Sequence, residues 1–389
     1  MRLQLVFFAT CTLIAATLAC VQAEPATAGA GNFLAVVDRD KKAHVAFLGG
    51  SITQKEMGHV KMVADWLEES FPDTEFTFTN AGLSSTCSLA GAYRFRGDVE
   101  EAGKPDLLIV EFAVNDDQDA GHSREMAIRG LEGIVRQYRS GNPYGDIISV
   151  QFVNPEILAT KQAGEEAVSV AAHKAVARHY GISSVDVGEA LAAEIAAGRM
   201  TWDAGYKGTH PNEKGYRFAS DLIISVLENS VANPELTSSA LPDPLHPGSF
   251  DQIDSLESES LAWLGGWRHE PVSRDLLPVG QIRGDYEGRM ALRAEEAGCY
   301  LYHTILGSSL GAFVLAGPDA GALEVSVDGG EWNRVELYHR HSANLNYPRA
   351  VILADGLSPT YHQVAIRTAK ASAETGGESA TILSFFVDR

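Results

Sequence analysis

The stretch Leu107–Val114, LLIVEFAV, is almost continuously apolar. A strand with one wet face alternates polar and apolar residues. One that is apolar throughout has to be covered on both faces, as in a parallel sheet flanked by helices. The surrounding segments repeat that demand. Short apolar strands are predicted at His44–Leu48, Glu75–Thr79, Ile147–Phe152 and Ile182–Val187. Helical stripes at 58–70, 122–138, 164–179, 189–197 and 212–228 lie between and after them. This alternation predicts a three-layer α/β domain with a parallel sheet over 43–230, preceded by an Ala/Gly-rich lead-in at 24–42.

The texture changes at 231–256, where Pro234, Pro242, Pro244 and Pro247 mark a linker or wrapping segment. Helical periodicity then stops. Strand patterns at 298–304, 309–316, 321–328, 333–338, 361–368 and 380–387, separated by turns such as Asp328-Gly329-Gly330, predict an all-β sandwich over 257–389. A chain of 389 residues is long enough for two such domains. Residues 1–23 read as a cleavable export signal: Arg2, an apolar run at 5–20, and small residues before Glu24. A periplasmic or extracellular location follows, with lipidation at Cys20 as the alternative. Cys87 and Cys299 are then the cysteines of the mature chain, and we expect both to be buried thiols. The remainder has no run able to span a membrane. The 51 acidic against 31 basic residues give a net charge of −20, which argues against a nucleic-acid partner.

Four strand ends offer chemistry. Ser51 follows Gly49-Gly50 at the end of the first strand, where an open α/β sheet places its sites and where glycines let substrate approach. As a helix N-cap it has an equally good structural reading. His210, in Gly208-Thr209-His210-Pro211, stands before the last helix and is a candidate base for Ser51. Gly82 and Asn115 end the second and third strands and are candidate oxyanion donors with the Ser51 N–H. Gln54, Arg94 and Asn154 are candidate substrate contacts; for Arg94, pairing with Asp98 is the structural alternative. Trp263, Trp267, Trp332, Tyr338 and Tyr347 of the β domain are candidates for stacking on sugars, or for core packing. His339 and His341 have an i, i+2 spacing, but the sequence supplies no neighbouring Cys or carboxylate ligands. We therefore expect neither metal nor cofactor.

Four segments, FLGGSIT (47–53), NAGLSST (80–86), EFAVNDD (111–117) and GTHPNEKGY (208–216), occur in the order of the SGNH/GDSL hydrolase superfamily, which the domain resembles in its secreted carbohydrate-esterase-like branch. The resemblance implies a flavodoxin-like fold and hydrolysis of esters, often acetyl esters of glycans. It implies Ser51 as nucleophile, His210 as base, and Gly82 and Asn115 in the oxyanion hole. Two positions depart from the family pattern. Ala113 replaces a glycine. Lys207 stands three residues before His210, where the family carries the acid that orients the imidazole, and a lysine cannot accept the Nδ1 proton. Asp203, a backbone carbonyl, or Asp116 or Glu111 would have to substitute. The expected function is a serine esterase removing acyl, foremost acetyl, groups from a carbohydrate. The alternatives are a lipid or small-ester hydrolase and an inactive glycan-binding protein. Oligomeric state is not legible.

Overall fold

The computed structural model describes residues 29–230, 236–256, 262–263, 265–372 and 377–389. The expected export signal, with Cys11 and Cys20, lies outside the described residues, as does the side chain of Trp263.

Five strands, β1 (Lys42–Gly49), β2 (Glu75–Gly82), β3 (Leu107–Glu111), β4 (Asp146–Gln151) and β5 (Ser183–Asp186), pair in parallel in the order β2-β1-β3-β4-β5. Every residue of β3 is buried, as its apolar run demands. One apolar cluster under Phe33, Phe47, Val63, Ile109, Phe152 and Leu227 covers one face, and a second under Leu48, Leu108, Phe112, Leu131 and Val176 covers the other. The covering helices are α1 (Gly31–Asp40), α2 (Ser51–Gln54), α3 (His59–Ser70), α4 (Ser88–Phe95), α5 (Arg124–Gly141), α6 (Pro155–Gln162), α7 (Val168–Tyr180), α8 (Val187–Ala196), α9 (Trp202–Gly205) and α10 (Glu213–Ser230). Helices α1, α2, α4, α6 and α9 are absent from the sequence reading, and two of them show why. Helix α1 falls in the expected lead-in, because Phe33, Leu34 and Val37 form one buried face within the Ala/Gly-rich composition. Helix α6 starts at Asn154, whose side chain caps it by accepting from the Ile157 N–H at 2.7 Å, with Pro155 at the first helical position.

Two short strands, β6 (Tyr206–Lys207) and β7 (His210–Pro211), make a hairpin before α10. Then come β8 (Ile253–Leu256), β9 (Ala262–Trp263), β10 (Trp267–Pro271), β11 (Met290–Ala294), β12 (Tyr300–Gly307), β13 (Ser309–Ala316), β14 (Ala322–Val327), β15 (Asn333–Glu336), β16 (Tyr347–Ala354), β17 (Thr360–Ala369) and β18 (Ala380–Asp388). They form two antiparallel sheets, β10-β11-β18-β13-β16 with β8 beside β18, and β15-β14-β17-β12-β9. Leu301, Leu323, Val314, Ile366 and Phe385 fill the space between them.

The proline-rich segment wraps the α/β unit. Arg129 of α5 donates to the Gly248 carbonyl and lies 4.4 Å from the Phe250 ring, and Glu132 accepts from the Leu245 and His246 N–H groups. Tyr93 of α4 stacks on Phe386 of β18 at 4.8 Å, so the apolar cluster on that face of the parallel sheet continues into the sandwich. Arg129 also makes a two-pronged ion pair with Asp355 at 2.6 and 2.8 Å. Cys87 and Cys299 are buried free thiols. No helix among the described residues is long and apolar enough to cross a membrane.

Candidate active site

The sheet order reverses direction between β1 and β3, and such a switch point opens a crevice at the carboxyl ends of the strands. Ser51 stands there as the first residue of α2, so its N–H has no carbonyl within the helix to bond. The two glycines before it are sterically required. A Cβ on Gly49 would lie 2.2 Å from Thr53 Oγ1, and one on Gly50 would lie 2.2 Å from Asn115 Oδ1. Beneath the turn, Glu111 Oε1 accepts from the Gly50 N–H at 2.9 Å and from Thr53 Oγ1 at 2.7 Å. Burial pushes this carboxyl up to about 7, against the pull of those hydrogen bonds.

His210 arrives from the other side, on the β6–β7 hairpin. Gly208, at φ +65°, turns the chain between the two strands. Thr209 Oγ1 donates to Gln118 Oε1 at 3.0 Å and fixes the turn against the end of β3. His210 Nε2 lies 2.8 Å from Ser51 Oγ. Burial holds this imidazole below its ordinary value; Asp119 opposes the shift, while Arg283 and Lys55 add to it. Ser51 and His210 line a groove of about 700 Å³ together with Gln54, Lys55, Ser84 and Lys207. Lys207 is the cross-strand partner of His210 in the hairpin, so it stands beside the imidazole and accepts nothing from it.

The other sequence candidates separate. Asn115 is 4% exposed, and its Nδ2 gives one hydrogen to Asp119 Oδ2 at 2.6 Å, which leaves the second for another acceptor. Gln54 is in the groove, with Oε1 accepting from the Ser84 hydroxyl at 2.5 Å and N–H at 3.2 Å. Gly82 does not present a free N–H: it donates to Asn80 Oδ1 at 2.9 Å, and the Cα packs against the Thr53–Gln54 backbone. Asp203 does not reach His210; it is exposed on α9, and among the described residues no acceptor is hydrogen-bonded to His210 Nδ1. Arg94 faces inward, clamping the Ala81 and Gly49 carbonyls at 2.7 and 2.8 Å and pairing with Asp98. Asn154 is fully buried, its oxygen spent on the α6 cap and its amide near Asp117 and Gln118. The Nε–H of Arg94 has no partner but is buried, so neither Arg94 nor Asn154 presents a group to the groove.

Three residues at the site had no signal in the local sequence. Asp119 ends the π-helical turn Asn115–Asp119 and is the carboxylate whose charge acts on His210. Ser85 sits at φ +67°, an uncommon conformation for a side chain-bearing residue. Arg283 of the β domain donates to Ser85 Oγ at 2.7 Å and acts electrostatically on His210. His339, also from the β domain, bonds the Asp119 carbonyl through Nε2 at 2.9 Å and stacks on Tyr347 at 4.5 Å. The sandwich therefore packs against Ser85 and Asp119, beside the groove that holds Ser51 and His210. Its other aromatic candidates are engaged elsewhere: Trp267 is buried, and Trp332, 38% exposed, carries Arg367 over its ring at 4.2 Å.

No curated protein matches the sequence. Among solved structures, a two-domain esterase (CEX) active on acetylated mannans is similar at 22% identity, with a TM-score of 0.73 over 92% of this chain and 95% of that one. The same esterase co-crystallised with mannopentaose matches at 21% identity and a TM-score of 0.72, over 92% and 94% of the two chains. At this identity the likeness is one of fold, and it extends through both domains. Residues 47–218 match the GDSL-like lipase/acylhydrolase family. Over that segment the chain is similar to this family of ester hydrolases.

Proposed function

We propose that the protein is an exported serine esterase that removes acyl groups, acetyl foremost, from a polysaccharide. The observation that carries the reading is the 2.8 Å contact between Ser51 Oγ and His210 Nε2 at the switch point of the sheet. His210 takes the Ser51 proton as Oγ attacks the ester carbonyl. The tetrahedral oxyanion accepts from the Ser51 N–H and from the unspent hydrogen of Asn115 Nδ2. His210 then protonates the sugar alkoxide as the C–O bond breaks. Water, deprotonated by the same imidazole, releases the acyl group from Ser51. Asp119 supplies the negative field that an imidazolium needs, a role the sequence reading gave to Asp203. The open groove with its polar rim of Gln54, Ser84 and Lys207 suits a hydroxyl-rich chain better than a long acyl tail. The similar two-domain esterase acts on acetylated mannans, which makes an acetylated mannan the first substrate to try.

Acetate release from acetylated mannan, acetylated xylan and 4-nitrophenyl esters of increasing chain length tests the proposal against Ser51→Ala. Serine-dependent acetate release from a polysaccharide is the expected result. A preference for long-chain esters would replace it with a lipid-ester reading. Binding of the glycan without turnover of any ester would overturn the enzymatic one.

A further inference from the structure

Cys87 begins α4, Asp116 follows Asn115, and His122 precedes α5. Asp116 and His122 share one turn after β3, where the His122 N–H donates to the Asp116 carbonyl at 2.8 Å, and the fold brings Cys87 to meet them. The Cys87 thiol, an Asp116 carboxylate oxygen and a His122 ring nitrogen lie within 4.8 Å of one another. Asp116 is fully buried and the His122 side chain is 10% exposed. His122 Nδ1 is 3.3 Å from Asp116 Oδ1, an ion pair when the imidazole is protonated. A divalent cation would take the place of the imidazole proton and hold the same three ligand atoms together. A tetrahedral zinc ion with N and O ligands at roughly 2.0–2.2 Å separates those ligand atoms by about 3.3–3.6 Å. The observed 3.3 Å approach fits one edge of such a tetrahedron.

We propose that Cys87, Asp116 and His122 bind a divalent transition-metal ion of the zinc class. The donor set of thiolate, imidazole and carboxylate is a zinc-type set. Its surroundings are those of ligands held in place. His173 Nε2 bonds the second oxygen of Asp116 at 2.9 Å, and the Ser88 N–H donates to the first at 2.8 Å. The fourth position faces a cavity of about 260 Å³, lined also by Ser85, Asp119, Tyr347 and Arg349. Arg349 is held by the Leu337 carbonyl at 2.9 Å; its charge favours an anionic fourth ligand such as hydroxide. Cys87 is two residues from Ser85, and Asp116 is adjacent to Asn115. The ion would therefore tie together the two segments that flank the crevice, as a structural brace rather than a participant in ester cleavage. Spacing rules do not reveal such a site, because Cys87 comes from a separate segment and Asp116 and His122 lie on an irregular turn.

The test is metal binding by the whole chain after chelation. Titration with cobalt(II) should show one equivalent with a thiolate-to-cobalt charge-transfer band, and zinc should displace it. Cys87→Ser should abolish the band and Cys299→Ser should keep it. Should Cys87→Ser fail to fold, the wild-type chain still decides. Zinc should slow alkylation of Cys87, located by peptide mapping, at least tenfold and leave Cys299 unchanged. A folded, metal-stripped protein that shows neither the band nor protection of Cys87 overturns the proposal. Ester hydrolysis enters neither readout, so the result is independent of the proposed function.

Discussion

The buried Glu111 makes a sharp prediction about stability. Its carboxyl ordinarily titrates at 4.5 and is pushed up to about 7 by burial. Below pH 4.5 it is protonated whether the chain is folded or not. Between 4.5 and about 7 the folded state holds a proton that the unfolded chain has released, so stability falls as pH rises through that window and is flat above it. At 1.36 kcal/mol per pH unit the fall is worth up to about 3 kcal/mol. Glu111→Gln keeps an acceptor for the Gly50 N–H and Thr53 hydroxyl and removes the titration. It also buries an amide donor where Oε2 has no partner, a pH-independent cost of about 1–3 kcal/mol. The assay is the difference in Tm between wild type and variant at pH 5, 6, 7 and 8, in which the other titrating groups cancel. Wild type should lead at pH 5 and lose roughly 6–12 °C of that lead by pH 8. A difference that stays constant, or that grows with pH, refutes the account of Glu111 as a carboxyl driven towards its neutral form by burial.

Asn115→Ala should lower kcat by about 10²–10³, or about 3–4 kcal/mol, with little change in KM, measured on 4-nitrophenyl acetate. Asp119→Ala should lower kcat strongly, whereas Asp203→Ala should stay within about twofold of wild type, because only Asp119 acts on His210. The acid limb of kcat/KM should fall below the ordinary histidine value of 6.5, since the base must be neutral, and Arg283→Ala should move that limb upward in pH by removing a cation. Arg129→Ala should cost about 2–3 kcal/mol in denaturant unfolding, less than a fully buried pair, because Asp355 keeps 37% of its side chain in water.

The parallel sheet was legible because β3 had to be covered on both faces, and strands with that requirement leave a continuous apolar run. Ser51, Asn115 and His210 were legible as strand-end and loop residues in one sheet, and the fold brings Ser51 and His210 to 2.8 Å. What stayed hidden was hydrogen-bond accounting. Gly82 looked available until Asn80, two residues away, took its N–H. Arg94 and Asn154 carry groups that suit a substrate, yet backbone carbonyls and a helix N-terminus use them up. Asp119 is the last residue of a π-helical turn whose extra residue changes which side chain points at the crevice, and local periodicity carries no trace of it. Arg283 lies 232 residues after Ser51 in the chain, about as far from local inference as a contact can be.

The continuity of one apolar cluster through Tyr93, Phe250, Phe313 and Phe386 bears on how such a protein can change over evolutionary time. Tyr93 lies so close to β13 that a Cβ on Gly311 would sit 2.2 Å from its hydroxyl oxygen. Modules joined by a loose tether can be exchanged, duplicated or lost one at a time. Here a cut between them would bare aromatic surface on both pieces and strip Arg283 and His339 from the crevice. Gene fusions that swap the sandwich for an unrelated domain should therefore yield insoluble or inactive chains, and the two parts are expected to be inherited together.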